Sequence, residues 1–179
     1  MRAIFSLLTI SMLGACATQS PAPTPFSQAM LPDAVRVSAA NRIAMEVAAV
    51  GEITYQCRAK KDMADQFEWV FAGPDAVLKD RQGVGMGKYY GPPATWESVD
   101  GSKVTGSQLA VAPNGDGNIP LQLVKANAAV GAGAMQGVSF IQRVQTQGGV
   151  APKLMCGKVN EGEKQIVPYK ADYIFYRAV

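Results

Sequence analysis

The densest run of chemically capable side chains is Lys88-Tyr89-Tyr90-Gly91-Pro92-Pro93-Ala94-Thr95-Trp96-Glu97, followed by Asp100-Gly101-Ser102. Three aromatics, a cation and two carboxylates surround a stiff Gly-Pro-Pro turn. Tyr and Trp pair an apolar face with a polar handle, a combination suited to recognising small molecules or sugars. The same rings would equally serve a β core or its corner. Glu97 and Asp100 read as a carboxylate pair, the minimum for hydrolase or lyase chemistry on an envelope carbohydrate, with the tyrosines as further acid–base groups. Arg143 joins the candidate ligand-binding set because a charge within an apolar strand needs a partner or a ligand. For that residue a structural ion pair is the plainer account.

What the chain lacks narrows the chemistry. It contains no histidine, which removes Ser-His-Asp and Cys-His nucleophiles, an imidazole base, and His-ligated zinc or haem. No cofactor is expected. Gly131, Gly133 and Gly137 imitate a dinucleotide-binding loop, but the third glycine comes one residue late and no acid follows before Glu161. Asn114, Asp116 and Asn118 imitate the start of a calcium loop, yet Ile119 stands where glycine is needed and Lys125 where the closing glutamate is needed. A polar hairpin turn accounts for them better, and no metal site is expected. A chain with no dense Lys or Arg run is also an unpromising nucleic-acid partner.

The three cysteines carry a different message. Met1-Arg2 and the apolar residues 3–13 form a signal-like segment of about a dozen apolar residues, too short to span a bilayer. It closes on Leu13-Gly14-Ala15-Cys16, a lipobox that predicts cleavage after residue 15 and lipid on Cys16. Two or more acyl chains hold a protein firmly, at about 0.8 kcal/mol per buried methylene. Removing Arg2 lowers the formal net charge from +3 to +2. Residues 16–29 contain three alternating prolines, Pro21, Pro23 and Pro25, and read as an extended tether. Residues 30–179 then form one domain of about 150 residues, enough for a single core. Ala17 after the cysteine, rather than Asp, favours the periplasmic face of the outer membrane in a Gram-negative cell. Cys57 and Cys156 remain as an even pair, which in an oxidising compartment reads as a disulfide. The alternative is two separately buried thiols.

The elements that must position these residues are mostly strands. Residues 52–57 alternate, with Ile53, Tyr55 and Cys57 on one face and Thr54 and Gln56 on the other. Residues 43–50 suit a strand better than a helix, and Gly51 as a turn would make a hairpin of the two segments. A short strand at 68–71 ends at Gly73-Pro74. Further strands are expected at 84–90, 103–112, 119–125, 138–146 and 171–177, divided by turn signals at Asp100-Gly101, Asn114-Gly115, Gly148-Gly149 and Glu161-Gly162. The glycines at 83, 85 and 87 mark a bulge or a close backbone approach. Residues 75–78 and 127–135 are the expected short helices. The fold class is therefore all-β: a single antiparallel sandwich or barrel-like domain with one or two short helices.

In order and spacing, Gly51-Glu52-Ile53-Thr54-Tyr55-Gln56-Cys57, Trp69, Phe71, Gly73-Pro74-Asp75-Ala76, Gly91-Pro92, Thr95-Trp96-Glu97 and Asp100-Gly101-Ser102 resemble the secreted bacterial and fungal family of domain of unknown function 3455. Ile119-Pro120, Ile141-Gln142-Arg143-Val144, Gly148-Gly149, Ala151-Pro152, Cys156, Ala171-Asp172-Tyr173 and Phe175-Tyr176 continue the resemblance, which covers roughly residues 30–179. Both cysteines match family positions, which supports the disulfide. The resemblance implies no activity. Some relatives carry a malate dehydrogenase label, against which the failed dinucleotide loop argues here. This chain has Gly87-Lys88 where members usually show Gly-x-His, an extra residue near Pro93-Ala94, and Leu121 where they usually show Trp. The functional expectation is a lipid-anchored module that binds a small molecule, a glycan or an envelope protein, or helps maintain the envelope. The competing expectation is the carboxylate- or Tyr-dependent hydrolase or lyase.

Overall fold

The computed structural model describes residues 26–179. The signal segment 1–15, the lipidation position Cys16 and the tether through residue 25 lie outside the described residues. Eight antiparallel strands run in sequence order: β1 Asn41–Lys60, β2 Met63–Lys79, β3 Gly85–Tyr90, β4 Thr95–Ser98, β5 Lys103–Ala112, β6 Leu121–Ala126, β7 Val138–Gly148 and β8 Lys164–Ala178. Each pairs with its neighbour, and β8 returns to β1, so the sheet closes into a barrel. The all-β reading holds, and closure selects barrel over sandwich. Eight strands enclose an interior just wide enough to be filled by side chains or to hold one small ligand. The helices among the described residues are two single 3₁₀ turns, Asp33–Val35 and Lys158–Asn160.

Several local expectations give way to pairing across the sheet. Gly51 is not a turn: β1 runs straight through it, paired to Ala76 on one side and Tyr169 on the other. A Cβ at Gly51 would lie 2.1 Å from the Asp75 carbonyl oxygen, so glycine here permits strand contact rather than reversal. β2 likewise continues past Gly73-Pro74, with a register shift between the Thr54–Gly73 and Tyr55–Phe71 pairs. Pro74 pairs with Ile53 on β1 and lies one residue before the β2–β3 ladder begins at Asp75. Residues 75–78, expected as a helix, are strand, since each is paired to both β1 and β3. Residues 127–135, also expected as a helix, are irregular. Gly131 and Gly133 take positive φ there, and Val130 exchanges backbone bonds with Lys103. β4 was not anticipated as a strand. The expected close approach at β3 occurs at Gly87, where a Cβ would meet the Glu97 carbonyl oxygen at 2.0 Å.

Two apolar clusters hold the barrel. Inside it, Val47, Ala49, Ile53, Leu78, Tyr89, Trp96, Val104, Ile141, Tyr173 and Phe175 form a continuous core. Outside, an arm of residues 26–37 lays Phe26, Leu31, Val35 and Val37 over Leu121, Leu123, Val144, Ile174 and Tyr176. Gln28 pairs with the Val37 backbone in both directions, at 2.8 Å each way. Gln142, fully buried beneath the arm, donates to the Val35 carbonyl at 2.5 Å and accepts from Tyr176 Oη at 2.6 Å. A buried amide satisfied in this way specifies one seat for the arm. Residues 26–29, read as the end of the tether, thus rest against the barrel wall.

Cys57 and Cys156 form a disulfide, with their Cα atoms 5.6 Å apart. It ties the loop after β7 to the upper end of β1. Tyr55 Oη donates to the Gly149 carbonyl at 2.7 Å and Trp69 Nε1 to the Leu154 carbonyl at 3.0 Å, which pins the same loop twice more.

Candidate ligand-binding site

Strand alternation divides the polar-aromatic run between two environments. Tyr89 and Trp96 are cross-strand partners on the inner face, with ring centroids 4.8 Å apart and stacked. Tyr173 lies 5.0 Å from Tyr89 and edge-on to Trp96 at 5.5 Å, and Phe175 is edge-on to Trp96 at 6.5 Å. Lys88, Tyr90 and Glu97 lie on the outer face. There Tyr90 Oη donates to Glu97 Oε2 at 2.7 Å, and Lys103 and Lys88 approach the same oxygen at 3.3 and 3.8 Å. The Tyr90 hydrogen bond, helped by both lysines, holds the Glu97 carboxyl below its usual range. Glu97 therefore stays ionised, and exposed pairs of this kind contribute little to stability.

Asp100 is committed elsewhere again. Its Oδ1 accepts from Ser102 Oγ at 2.6 Å and Ser102 N at 2.9 Å, while Oδ2 accepts from Ala134 N at 2.7 Å. Led by the Ser102 hydroxyl, these bonds lower its pKa to about 2. The side chain clamps the β4–β5 turn to the loop before β7. Glu97 and Asp100 thus have separate partner sets, and neither lines the barrel pocket described next. Asn114 and Asn118 are occupied in the β5–β6 turn: Asn114 Nδ2 donates to Thr146 Oγ1, and Asn118 Oδ1 accepts from Gly148 N.

Arg143 faces inward, opposite Gln122 on β6 and Tyr173 on β8. Its neighbour Gln142 points out beneath the arm, so the strand's period of two sends the cation into the barrel. The ion pair expected of Arg143 is not formed among the described residues. Its Nε and Nη2 instead donate to the Pro120 carbonyl at 3.2 and 3.0 Å. That arrangement braces the guanidinium and leaves part of its donor fork without an acceptor.

Around Arg143 the open end of the barrel forms a pocket of about 340 Å³. Its lining includes the buried residues Tyr89, Trp96, Val124 and Pro74, the exposed Phe71, Pro92 and Gln108, and the half-buried Ala94 and Gln122. Gln122 Nε2 donates to Gln108 Oε1 at 2.6 Å. Arg143 is the one charged side chain among these lining residues. The Trp96 indole N–H is buried and has no acceptor among the described residues. A buried unmet donor costs about 1–3 kcal/mol, which the surrounding ring contacts, about 0.5–1.5 kcal/mol each, can offset. Burial raises the pKa of Tyr55, Tyr89, Tyr169 and Tyr173, with the charge of Arg143 a smaller opposing effect. At neutral pH these phenols are protonated donors rather than bases.

Of the seven residues singled out by sequence, the barrel brings together Tyr89, Trp96 and Arg143, and separates off Lys88, Tyr90, Glu97 and Asp100. Sequence reasoning missed Phe71, Gln108 and Gln122 as pocket residues. Phe71 lay within the expected 68–71 strand, and only the barrel's closure reveals which residues share a mouth. The class is an eight-stranded antiparallel barrel with an aromatic interior and a single-cation pocket at one end. The chain belongs to the family described as protein of unknown function DUF3455, whose sequence model matches residues 38–177. No curated protein and no solved structure matches it.

Proposed function

We propose that this chain is a lipid-anchored envelope protein whose barrel binds a small molecule in its mouth without transforming it. The observation that carries the reading is Arg143, an inward-facing cation with no carboxylate partner among the described residues, set in a pocket with an aromatic floor. Arg143 is half-buried at the mouth, its charge turned toward the pocket rather than toward a counter-ion. The volume is at the lower end of the roughly 300–1,000 Å³ range of small-molecule pockets. No carboxylate lines the pocket, and its one phenol, Tyr89, stays protonated, so its side chains can hold a ligand but supply no base.

The anchor is the Cys16 lipid, at the periplasmic face of the outer membrane. The test has two arms. Native mass spectrometry of protein purified in mild detergent should show a bound small molecule on the wild type and none on Arg143→Met. Identical spectra for the two would refute the pocket. Fractionation should move Cys16→Ser from the membrane to the soluble fraction, and unchanged membrane association would refute the anchor.

A further inference from the structure

Resting on that reading of the pocket, the geometry points to a specific ligand class: a small monocarboxylate carried on a flat apolar body. Three observations converge. The first is charge. One cation lines the pocket, and it is an arginine. A planar guanidinium matches a planar carboxylate through two parallel hydrogen bonds, whereas a phosphate near neutral pH carries more charge than one arginine balances. The second is hydrogen-bond polarity. The charged group left open is a donor: the Arg143 fork beyond its two bonds to Pro120. An ionised carboxylate is acceptor-only and complements donors.

The third observation is shape. Phe71 and Pro92 are exposed apolar residues of the lining, with Pro74 buried behind them, and the lining also holds the Gln108–Gln122 pair. Phe71 is half exposed although it is one of the larger side chains of its strand, and it lies edge-on to Tyr55 at 6.1 Å. A ring entering against Phe71 and Pro92 covers apolar surface that water now meets, while its carboxylate reaches the cation. Arg143 is the anchoring residue in this arrangement, and Pro120 is its brace.

The experiment is calorimetry on the full mature protein in detergent. Benzoate, phenylacetate and indole-3-acetate are each compared with their own amide, and inorganic phosphate serves as a further arm. Each acid is expected to bind at least about ten times more tightly than its amide. Arg143→Met should abolish that preference, and Arg143→Lys, which keeps charge but loses the fork, should restore only part of it. The acid–amide comparison on wild type stands even if a variant misfolds. Equal binding of acid and amide, or tighter binding of phosphate, would overturn the carboxylate class while leaving a ligand-binding pocket in place. Failure of every acid and amide to bind, together with no small molecule on the purified protein, would overturn both.

Discussion

At the scale of single residues, alternation decides roles that composition leaves open. Lys88, Tyr89 and Tyr90 are consecutive, yet Tyr89 stacks inside the barrel while its neighbours reach Glu97 outside. Asp100 shows how a carboxylate chosen for chemistry can serve structure instead. It accepts three hydrogen bonds, and its pKa falls from 3.8 to about 2. A folded-state pKa below the unfolded value contributes stability that is present above the unfolded pKa and lost as pH falls through the folded one. The thermal midpoint of Asp100→Asn should therefore lie below wild type at neutral pH. The gap should narrow as pH falls from about 4 to about 2, where the wild-type carboxyl protonates. A gap that stays constant down to about pH 2 would show that Asp100 does not clamp the loop through its charge.

At the scale of elements, β1 and β2 are the framework. Each is much longer than a typical strand of about five or six residues, and each crosses a signal that reads locally as a stop, Gly51 in one and Gly73-Pro74 in the other. Ladder pairing on both sides of Gly51 outweighs its turn preference. The upper end of β1 is stapled by Cys57–Cys156 across a sequence separation of 99. Closing a loop of that length removes up to about 4–5 kcal/mol of unfolded-state entropy in the chain-entropy model, and native disulfides are commonly worth about 2–5 kcal/mol. Replacing both cysteines by serine should lower the melting temperature by roughly 5–15 °C. The double variant should also melt identically with and without reductant, whereas wild type should shift toward it on reduction. A wild type indifferent to reductant would contradict the staple's role.

At the scale of the whole molecule, closure of β8 on β1 makes one barrel with a filled middle and one lined mouth. All six tyrosines have raised pKa values, five chiefly by burial and Tyr90 chiefly through its bond to Glu97; Tyr176 is pushed up to about 12. Phenols with raised folded-state values contribute stability that is complete below the unfolded pKa near 10 and lost as pH rises through the folded values. Urea midpoints should hold up to about pH 10 and then fall toward about pH 12, with the phenolate absorbance rising as the barrel opens. Phenolate appearing near pH 10 with the barrel intact would show the interior to be wetter than its packing implies. By itself the sequence determined the all-β class and most strand positions and favoured the cysteine pairing that the structure forms, because period-two alternation, glycine turns and cysteine parity are local or countable properties. Only the tertiary structure decided that Tyr89, Trp96 and Arg143 share a pocket with Phe71 and Gln122, and that Glu97 and Asp100 do not. Alternation sorts a strand's residues into two faces, but which face becomes the interior depends on closure between strands more than a hundred residues apart.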